Sequence, residues 1–313
     1  MNHLTCLVTG GAGNLALQLE PLLRKAGYNV VLWDITEQPA DAALVKSSFI
    51  RGDICDRQHV RSVLAKVRPQ AVLHFASLLS GASEADRQRA WQVNVDATFG
   101  LFEEVIQHQV ETLLFPSSLA SYGAPLPTPV PEDFPQWPVG MYGVTKATVE
   151  RLGQYYHVRH GLDFRCLRLP IVISSFAHTG AASAYASMAY LETVRDGGYT
   201  FRVRPTSRAA LIYIKDVLQA IVQLLQAPTG RLTQRGYNVQ ALSPTAEQLA
   251  SAIRARCPSA TLDFQPDAEI ADLIDSWPQE FIDTSARRDW GWSPQYDLDA
   301  MSDDFLSELD HRR

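Results

Sequence analysis

Tyr142 and Lys146 stand at i and i+4 in Tyr142-Gly143-Val144-Thr145-Lys146. On a helix that spacing puts a phenol and an ammonium on one face. A phenol has a pKa of about 10 and is a poor base at neutral pH, but an adjacent cation favours its phenolate. Such a pair can take a proton from an alcohol or return one. By itself it is a common accident of composition. Upstream, Phe115-Pro116-Ser117-Ser118 ends an apolar run with two hydroxyls. If that run is a strand, they reach the carboxyl edge of a sheet, where open α/β sheets bind ligands. Ser118 is expected to donate to, or align, the reacting oxygen. Other chemistries fit less well. The serine pair lacks a GxSxG context and the histidines show no HExxH spacing, so neither a hydrolase nor a metal site is expected.

A second constellation lies at the start. Leu4–Thr9 runs into Gly10-Gly11-Ala12-Gly13-Asn14-Leu15-Ala16, and a helical pattern follows. Strand, glycine turn and helix N-terminus aim backbone N–H groups and the helix dipole at a pyrophosphate. Glycine turns of this kind join strands to helices in many folds, so context decides. Asp34 closes the next apolar run, where a carboxylate accepts hydrogen bonds from ribose hydroxyls. No arginine follows in Trp33-Asp34-Ile35-Thr36, and a 2′-phosphate would meet repulsion there. NAD is therefore expected over NADP; the other use of Asp34 would be to cap the strand. Asp53, in Gly52-Asp53-Ile54-Cys55-Asp56, is placed to accept from an adenine amino group with Ile54 against the ring. Its alternative use as an N-cap falls better to Asp56, which adjoins the next helical run.

Elements that could carry these groups are evident in the first half. Strands are predicted at Leu4–Thr9, Asn29–Asp34, Ser48–Ile50, Ala71–Phe75, Thr112–Pro116 and Phe164–Leu169. Most are continuous apolar runs, as in parallel strands covered on both faces. Helices are predicted near Asn14–Ala26, Arg57–Val67, Asp86–Gln107 and Tyr142–His160. This alternation means an α/β fold: a Rossmann-type doubly wound parallel sheet. The proline-rich stretch from Ala124 to Pro138 reads as a loop over the sheet. Beyond about residue 170 the pattern is irregular, with two strand–helix units near Leu211–Gln226 and Tyr237–Arg256. The expected organisation is a cofactor domain over 1–170, with 211–240 returning to it, and a smaller substrate lobe over 171–313.

Composition narrows the partners. The chain has 313 residues, 46% hydrophobic and 20% charged, ordinary for a globular protein with a full core. A formal charge of −6 disfavours nucleic acid and anionic membranes, which demand basic surfaces. Neither a signal peptide nor a membrane span is evident. The cysteines Cys6, Cys55, Cys166 and Cys257 are far apart and form no CxxC, so a reduced, cytoplasmic setting without structural zinc is expected.

Taken together, TGGAGNLA, VLHFAS, NVDATFGLFE, PSSLASYG and YGVTK resemble the extended short-chain dehydrogenase/reductase superfamily, which includes the UDP-galactose 4-epimerases. The C-terminal half, with Tyr155-Tyr156, GLDFRCLRLPIVIS, YNVQALSPTAEQLASAI, DSWP and SARRDWGWSPQYDLDAMSDDF, is similar to the short-chain-type L-threonine 3-dehydrogenases. The resemblance implies oxidation of a small β-hydroxy acid at its secondary alcohol. It implies Ser118, Tyr142 and Lys146 as the catalytic trio. It implies cofactor contacts from Gly10, Gly13, Asn14, Leu15, Asp34, Asp53, Ile54, Phe75, Ala76, Ser77 and Pro170, with Tyr142 and Lys146 also reaching NAD. Ser80 and Trp277 match positions near the substrate. It further implies a homodimer through a bundle of the Asp86–Gln107 and Tyr142–His160 helices, with Val93, Phe99, Leu101 and Leu152 as apolar candidates.

The departures bear on substrate. Where those threonine dehydrogenases carry a glycine- and threonine-rich stretch before an Asp-Tyr pair, this chain reads Thr179-Gly180-Ala181-Ala182-Ser183-Ala184-Tyr185, without the acid. RLPI with an Ala-Ala-Ser run also resembles the D-erythronate dehydrogenases, which act on sugar acids. The leading expectation is thus a dehydrogenase of a small hydroxy acid, either threonine or a short sugar acid. Ser80, Thr179, Ser183 and Arg208 would be its donors, and Trp277 would close the apolar side. Arg208 can anchor a carboxylate or be an ordinary exposed arginine. A nucleotide-sugar 4-epimerase is the alternative, but Ala209-Ala210 stands where such enzymes usually carry an Arg-Asp pair. A cofactor-sensing regulator is the third class, and the intact trio argues against it.

Overall fold

The computed structural model describes residues 4–37, 46–177 and 181–311. Its strands are β1 (Leu4–Thr9), β2 (Tyr28–Asp34), β3 (Ser48–Arg51), β4 (Ala71–His74), β5 (Thr112–Ser118), β6 (Asp163–Leu169), β7 (Ile171–Ile173), β8 (Gly198–Phe201), β9 (Leu211–Tyr213), β10 (Gly236–Asn238) and β11 (Thr261–Phe264). Apolar runs such as Cys6-Leu7-Val8 and Val72-Leu73 are fully buried, as sheet centres covered by helices on both faces require. Seven strands form one sheet in the order β10-β6-β5-β4-β1-β2-β3. β1 pairs in parallel with β2 on one side and β4 on the other. Strand order reverses there, and the carboxyl ends of β1 and β4 open the crevice where doubly wound folds bind ligands.

The helices of the first half are α1 (Asn14–Lys25), α2 (Arg57–Val67), α3 (Ser80–Ala85), α4 (Arg87–Trp91), α5 (Ala97–Gln107) and α6 (Met141–His160). α2 begins where expected, because the Asp56 carboxylate accepts from the Gln58 and His59 N–H groups at 3.0 and 3.1 Å. The expected single helix over Asp86–Gln107 is instead α4 and α5 joined by a π turn, Gln92–Asp96. Two residues expected on a pairing surface are core residues: Leu101 is fully buried and Val93 is 9% exposed. Leu152 packs against the same core. The large apolar side chains these helices do leave open are Trp91, Phe99, Tyr155 and Val158.

The chain divides into two compact units. The first is 1–121, 136–168 and 218–237; the second is 122–135, 169–217 and 238–313. The loop 122–135, expected with the sheet, belongs to the second unit because Val130 hydrogen-bonds Glu280 and Ile282 through its backbone. The second unit pairs β7 with β9 and β8 with β11, both in parallel. Its helices include α7 (Tyr185–Asp196), α9 (Ala246–Arg256), α10 (Ala268–Asp275), α11 (Thr284–Trp290) and α12 (Leu298–His311), while α8 (Ile214–Gln226) crosses into the first unit. A capping box of Thr245 and Gln248 starts α9. Asp283, accepting from the Trp292 indole at 3.0 Å and the Arg287 guanidinium, pins the turn around α11. Among the described residues no helix is long and apolar enough to cross a membrane, and no cluster of metal-ligating side chains occurs.

Candidate active site

The glycine turn is shaped by close approach. Gly10 has φ +68°, and a Cβ there would lie 2.8 Å from the backbone of Phe75 and Ala76. Only glycine lets β1 and β4 close to that distance. Gly13 then caps α1 with no side-chain acceptor, so the first N–H groups of a 12-residue helix remain available to an anion. Asn14 and Leu15 open that helix, half-buried, with Asn14 Oδ1 accepting from Gln18 Nε2. Fully buried Ala16 meets the sheet behind them. These features fit a dinucleotide pyrophosphate.

Asp34 is tied to the same turn. One carboxylate oxygen accepts from Ala12 N–H at 3.0 Å, and the other from the backbone and hydroxyl of Thr36 at 2.9 and 3.0 Å. A carboxylate oxygen has a further lone pair, so a ribose diol can still be bound on a group that is already oriented. Asp53 accepts from Cys55 N–H at 2.8 Å and lies 3.7 Å from the Arg89 guanidinium. Ile54 is buried in the main core, its side chain turned to the protein interior. Phe75, Ala76 and Ser77, just past β4, form a half-buried edge facing the glycine turn.

The helix carrying Tyr142 and Lys146 comes close to the end of β5. A Cβ on Gly143 would lie 1.9 Å from the Ala120 carbonyl oxygen, so glycine inside this pentapeptide permits the contact. Lys146 is 4% exposed, and its Nζ donates to the Pro116 carbonyl at 2.8 Å. The ammonium lies 4.3 Å from the Phe115 ring centre and 5.3 Å from that of Tyr142. Ser118 ends β5 half-buried, its hydroxyl accepting only a long bond from Ala120 N–H at 3.2 Å. Burial acts on both ionisable groups. It pushes the half-buried Tyr142 phenol upward and draws Lys146 down to about 8, opposed by the Glu150 carboxylate. The resting pair is therefore phenol and ammonium near neutrality, and the phenolate requires further positive charge beside it.

A buried polar network behind this edge has no counterpart in the sequence reading. Thr98 donates its hydroxyl proton to the Asn94 carbonyl at 2.8 Å and lies 2.8 Å from His74 Nε2. His74 Nε2 must then be the donor, which leaves Nδ1 to accept from the Thr9 hydroxyl at 2.7 Å. Thr9 in turn accepts from Ala76 N–H at 3.2 Å. Donor counting thus sets one tautomer. Burial, followed by the charge of Lys146, lowers the His74 pKa to about 3, so the ring is neutral. Asn94, inside the π turn, holds the Leu78 backbone at 2.7 and 3.0 Å and reaches Thr145 at 3.2 Å. A histidine and an asparagine inside otherwise apolar runs were the available signal.

Comparison with known proteins agrees with this geometry. The NAD dependent epimerase/dehydratase family matches residues 6–240. The chain belongs to that family. It is 35% identical over 296 residues to the mitochondrial L-threonine 3-dehydrogenase of Bos taurus, covering 93% of this chain and 79% of the relative. The L-threonine dehydrogenase of Clostridium difficile superposes with a TM-score of 0.93 at 29% identity, over 100% of this chain and 99% of that one. The Phytophthora infestans L-threonine dehydrogenase gives 0.90 at 33% identity, over 99% and 100%. As a member of the epimerase/dehydratase family with these relatives, the chain is an oxidoreductase of the NAD-dependent type.

The remaining candidates are placed unit by unit in this family fold. Ser80 is exposed at the start of α3 in the first unit. In the second unit Pro170 is buried, Ser183 is half-buried on a short 3₁₀ turn (Ala182–Ala184), and Trp277 is half-buried after α10. Arg208 is not a free cation: its guanidinium donates to the Ser243 carbonyl, and the Ser243 hydroxyl donates to Gln279 O at 2.8 Å. Thr179 lies outside the described residues.

Proposed function

We propose that this enzyme uses NAD to oxidise the secondary alcohol of a small hydroxy acid, with L-threonine and short sugar acids such as tetronates as the substrates to try first. The observation that carries this reading is the juxtaposition, at the carboxyl edge of one sheet, of a glycine turn built for a pyrophosphate and a helix carrying Tyr142 and Lys146. The relatives named as threonine dehydrogenases supply the substrate class; the missing acid before Tyr185 keeps the sugar acids beside it. Bound NAD supplies a hydride acceptor and the positive ring charge that the phenol lacks at rest. Tyr142 Oη takes the hydroxyl proton, Lys146 holds the phenolate against reprotonation, and the Ser118 hydroxyl donates to the reacting oxygen. Arg208 anchors a carboxylate only by giving up its bond to Ser243. We also propose a homodimer formed over the α4–α6 face through Trp91, Phe99, Tyr155 and Val158, which otherwise leave apolar surface in water.

Purified protein with NAD and a panel of L-threonine, tetronates, aldonates and UDP-sugars tests this reading by NADH absorbance. Turnover is expected on at least one small hydroxy acid and on no UDP-sugar. Silence on every acid, with interconversion of a UDP-sugar, would reassign the chain to nucleotide-sugar epimerisation.

A further inference from the structure

One turn beyond Lys146 on α6, Glu150 is buried at 4% exposure, although the reaction described above gives it no task. Its carboxylate is fully engaged. Oε2 accepts from Nε and Nη2 of buried Arg168 on β6 at 2.9 and 2.8 Å. Oε1 accepts from the buried Ser117 hydroxyl, and both oxygens accept from Gln136 Nε2 at 3.1 Å. Gln136 is itself held by Arg151 on α6 and bonds Ser121. One carboxylate thus ties together α6, β6 and the stretch from Ser117 to Ser121. That stretch includes Ser118, and its neighbour Pro116 presents the carbonyl that receives Lys146.

A buried ion pair is a weak source of net stability, because desolvation of both charges offsets their attraction. Two well-packed apolar residues would serve a purely structural purpose at least as well. What an apolar pair cannot do is hold a negative charge one helical turn from Lys146. The groups facing that ammonium are Tyr142 and Glu150 on its own helix, the Phe115 ring and Pro116 carbonyl from β5, Cys166 from β6, and His74 from β4, while Arg168 on β6 is paired to Glu150. His74 is neutral, and burial pushes the Cys166 thiol far up, so it is neutral as well. Glu150 is left as the anion in that shell. We propose that Glu150 is a positioning residue of the active site, keeping Lys146 charged and fastening the Pro116–Ser118 edge against the catalytic helix.

The direct test is an NMR titration of the lysine ε-methylene signals in 13C-labelled protein, where Lys146 has only Lys25, Lys46, Lys66 and Lys215 for company and Lys146→Met identifies its signal. In the wild type, burial draws Lys146 down, and its midpoint is expected near pH 8. In Glu150→Gln, which removes the charge but preserves the shape, its midpoint falls by about one unit or more, and Glu150→Asp restores most of the shift. Loss of kcat at high pH moves down in parallel; this kinetic arm rests on the dehydrogenase reading, whereas the titration does not. If Glu150→Gln fails to fold, the double variant Glu150→Gln, Arg168→Met avoids a buried guanidinium without its carboxylate; because a cation leaves with the anion, a smaller fall of the Lys146 midpoint in the same direction is expected. A folded variant whose Lys146 midpoint is unmoved overturns the proposal, whatever its activity. A shifted midpoint without dehydrogenase turnover on any acid supports the role of Glu150 and refutes the substrate reading instead.

Discussion

At the scale of single residues, Tyr142 is the group proposed to move a proton. Tyr142→Phe deletes one oxygen and little volume. Turnover is expected to fall on the order of 10²-fold or more, with NAD affinity within a few-fold of the wild type. Steady-state kinetics beside calorimetric NAD titration check this, and near-normal turnover would put the base elsewhere. The residue types were legible because the chemistry allows few substitutes: a phenol and an ammonium at i and i+4, hydroxyls ending a strand, a carboxylate ending the next. The engagement of Arg208 was not legible. Its partner Ser243 lies far along the chain, and nothing local signals that a loop carbonyl takes its guanidinium. Glu150 was hidden for a similar reason, since a glutamate on a polar helix ordinarily faces water, and only the fold brings Arg168 and Ser117 to it.

At the scale of elements, strands of continuous apolar residues and a helix capped by Asp56 were read closely, because burial on both faces and cap chemistry are local signals. The π turn at Gln92–Asp96 was missed: it arises from fitting Asn94 to the Leu78 backbone across the fold, which period counting cannot see. The network beginning at Thr9 and His74 makes the joint between β1, β4 and this turn sensitive to acid. His74 is depressed in the folded chain to about 3, while an unfolded histidine titrates at about 6.5. Between those values the unfolded state binds a proton that the folded state refuses. The stabilisation is therefore present above about pH 6.5 and lost as pH falls toward about 3, with a slope of about 1.4 kcal/mol per unit. Urea denaturation of wild type and His74→Gln over that window is expected to show the wild type losing the more stability per pH unit. Parallel curves would mean that His74 is protonated in the fold or gives way without cost.

At the scale of the whole molecule, family membership, sheet order and cofactor turn agree with one another, and the proposed pairing of two copies rests on what the helices leave exposed. The proposed surface differs from the one the sequence suggested: Leu101 and Val93 are buried, while Trp91, Tyr155 and Val158 are exposed as Phe99 is. Multi-angle light scattering at micromolar concentration should report a dimer, and Val158→Glu with Phe99→Glu should convert it to monomer. A wild-type monomer would reject the pairing. The claim on which the rest depends is that hydride leaves a carbinol carbon for good, rather than returning to a sugar as in an epimerase. Substrates deuterated at that carbon, threonine and a tetronate first, can be incubated with the enzyme and NAD, and the reduced nucleotide weighed by mass spectrometry. Deuterium is expected in the NADH, one label for each turnover, with a ketone product. Unlabelled nucleotide with every acid, together with label retained in an interconverted nucleotide sugar, would contradict it.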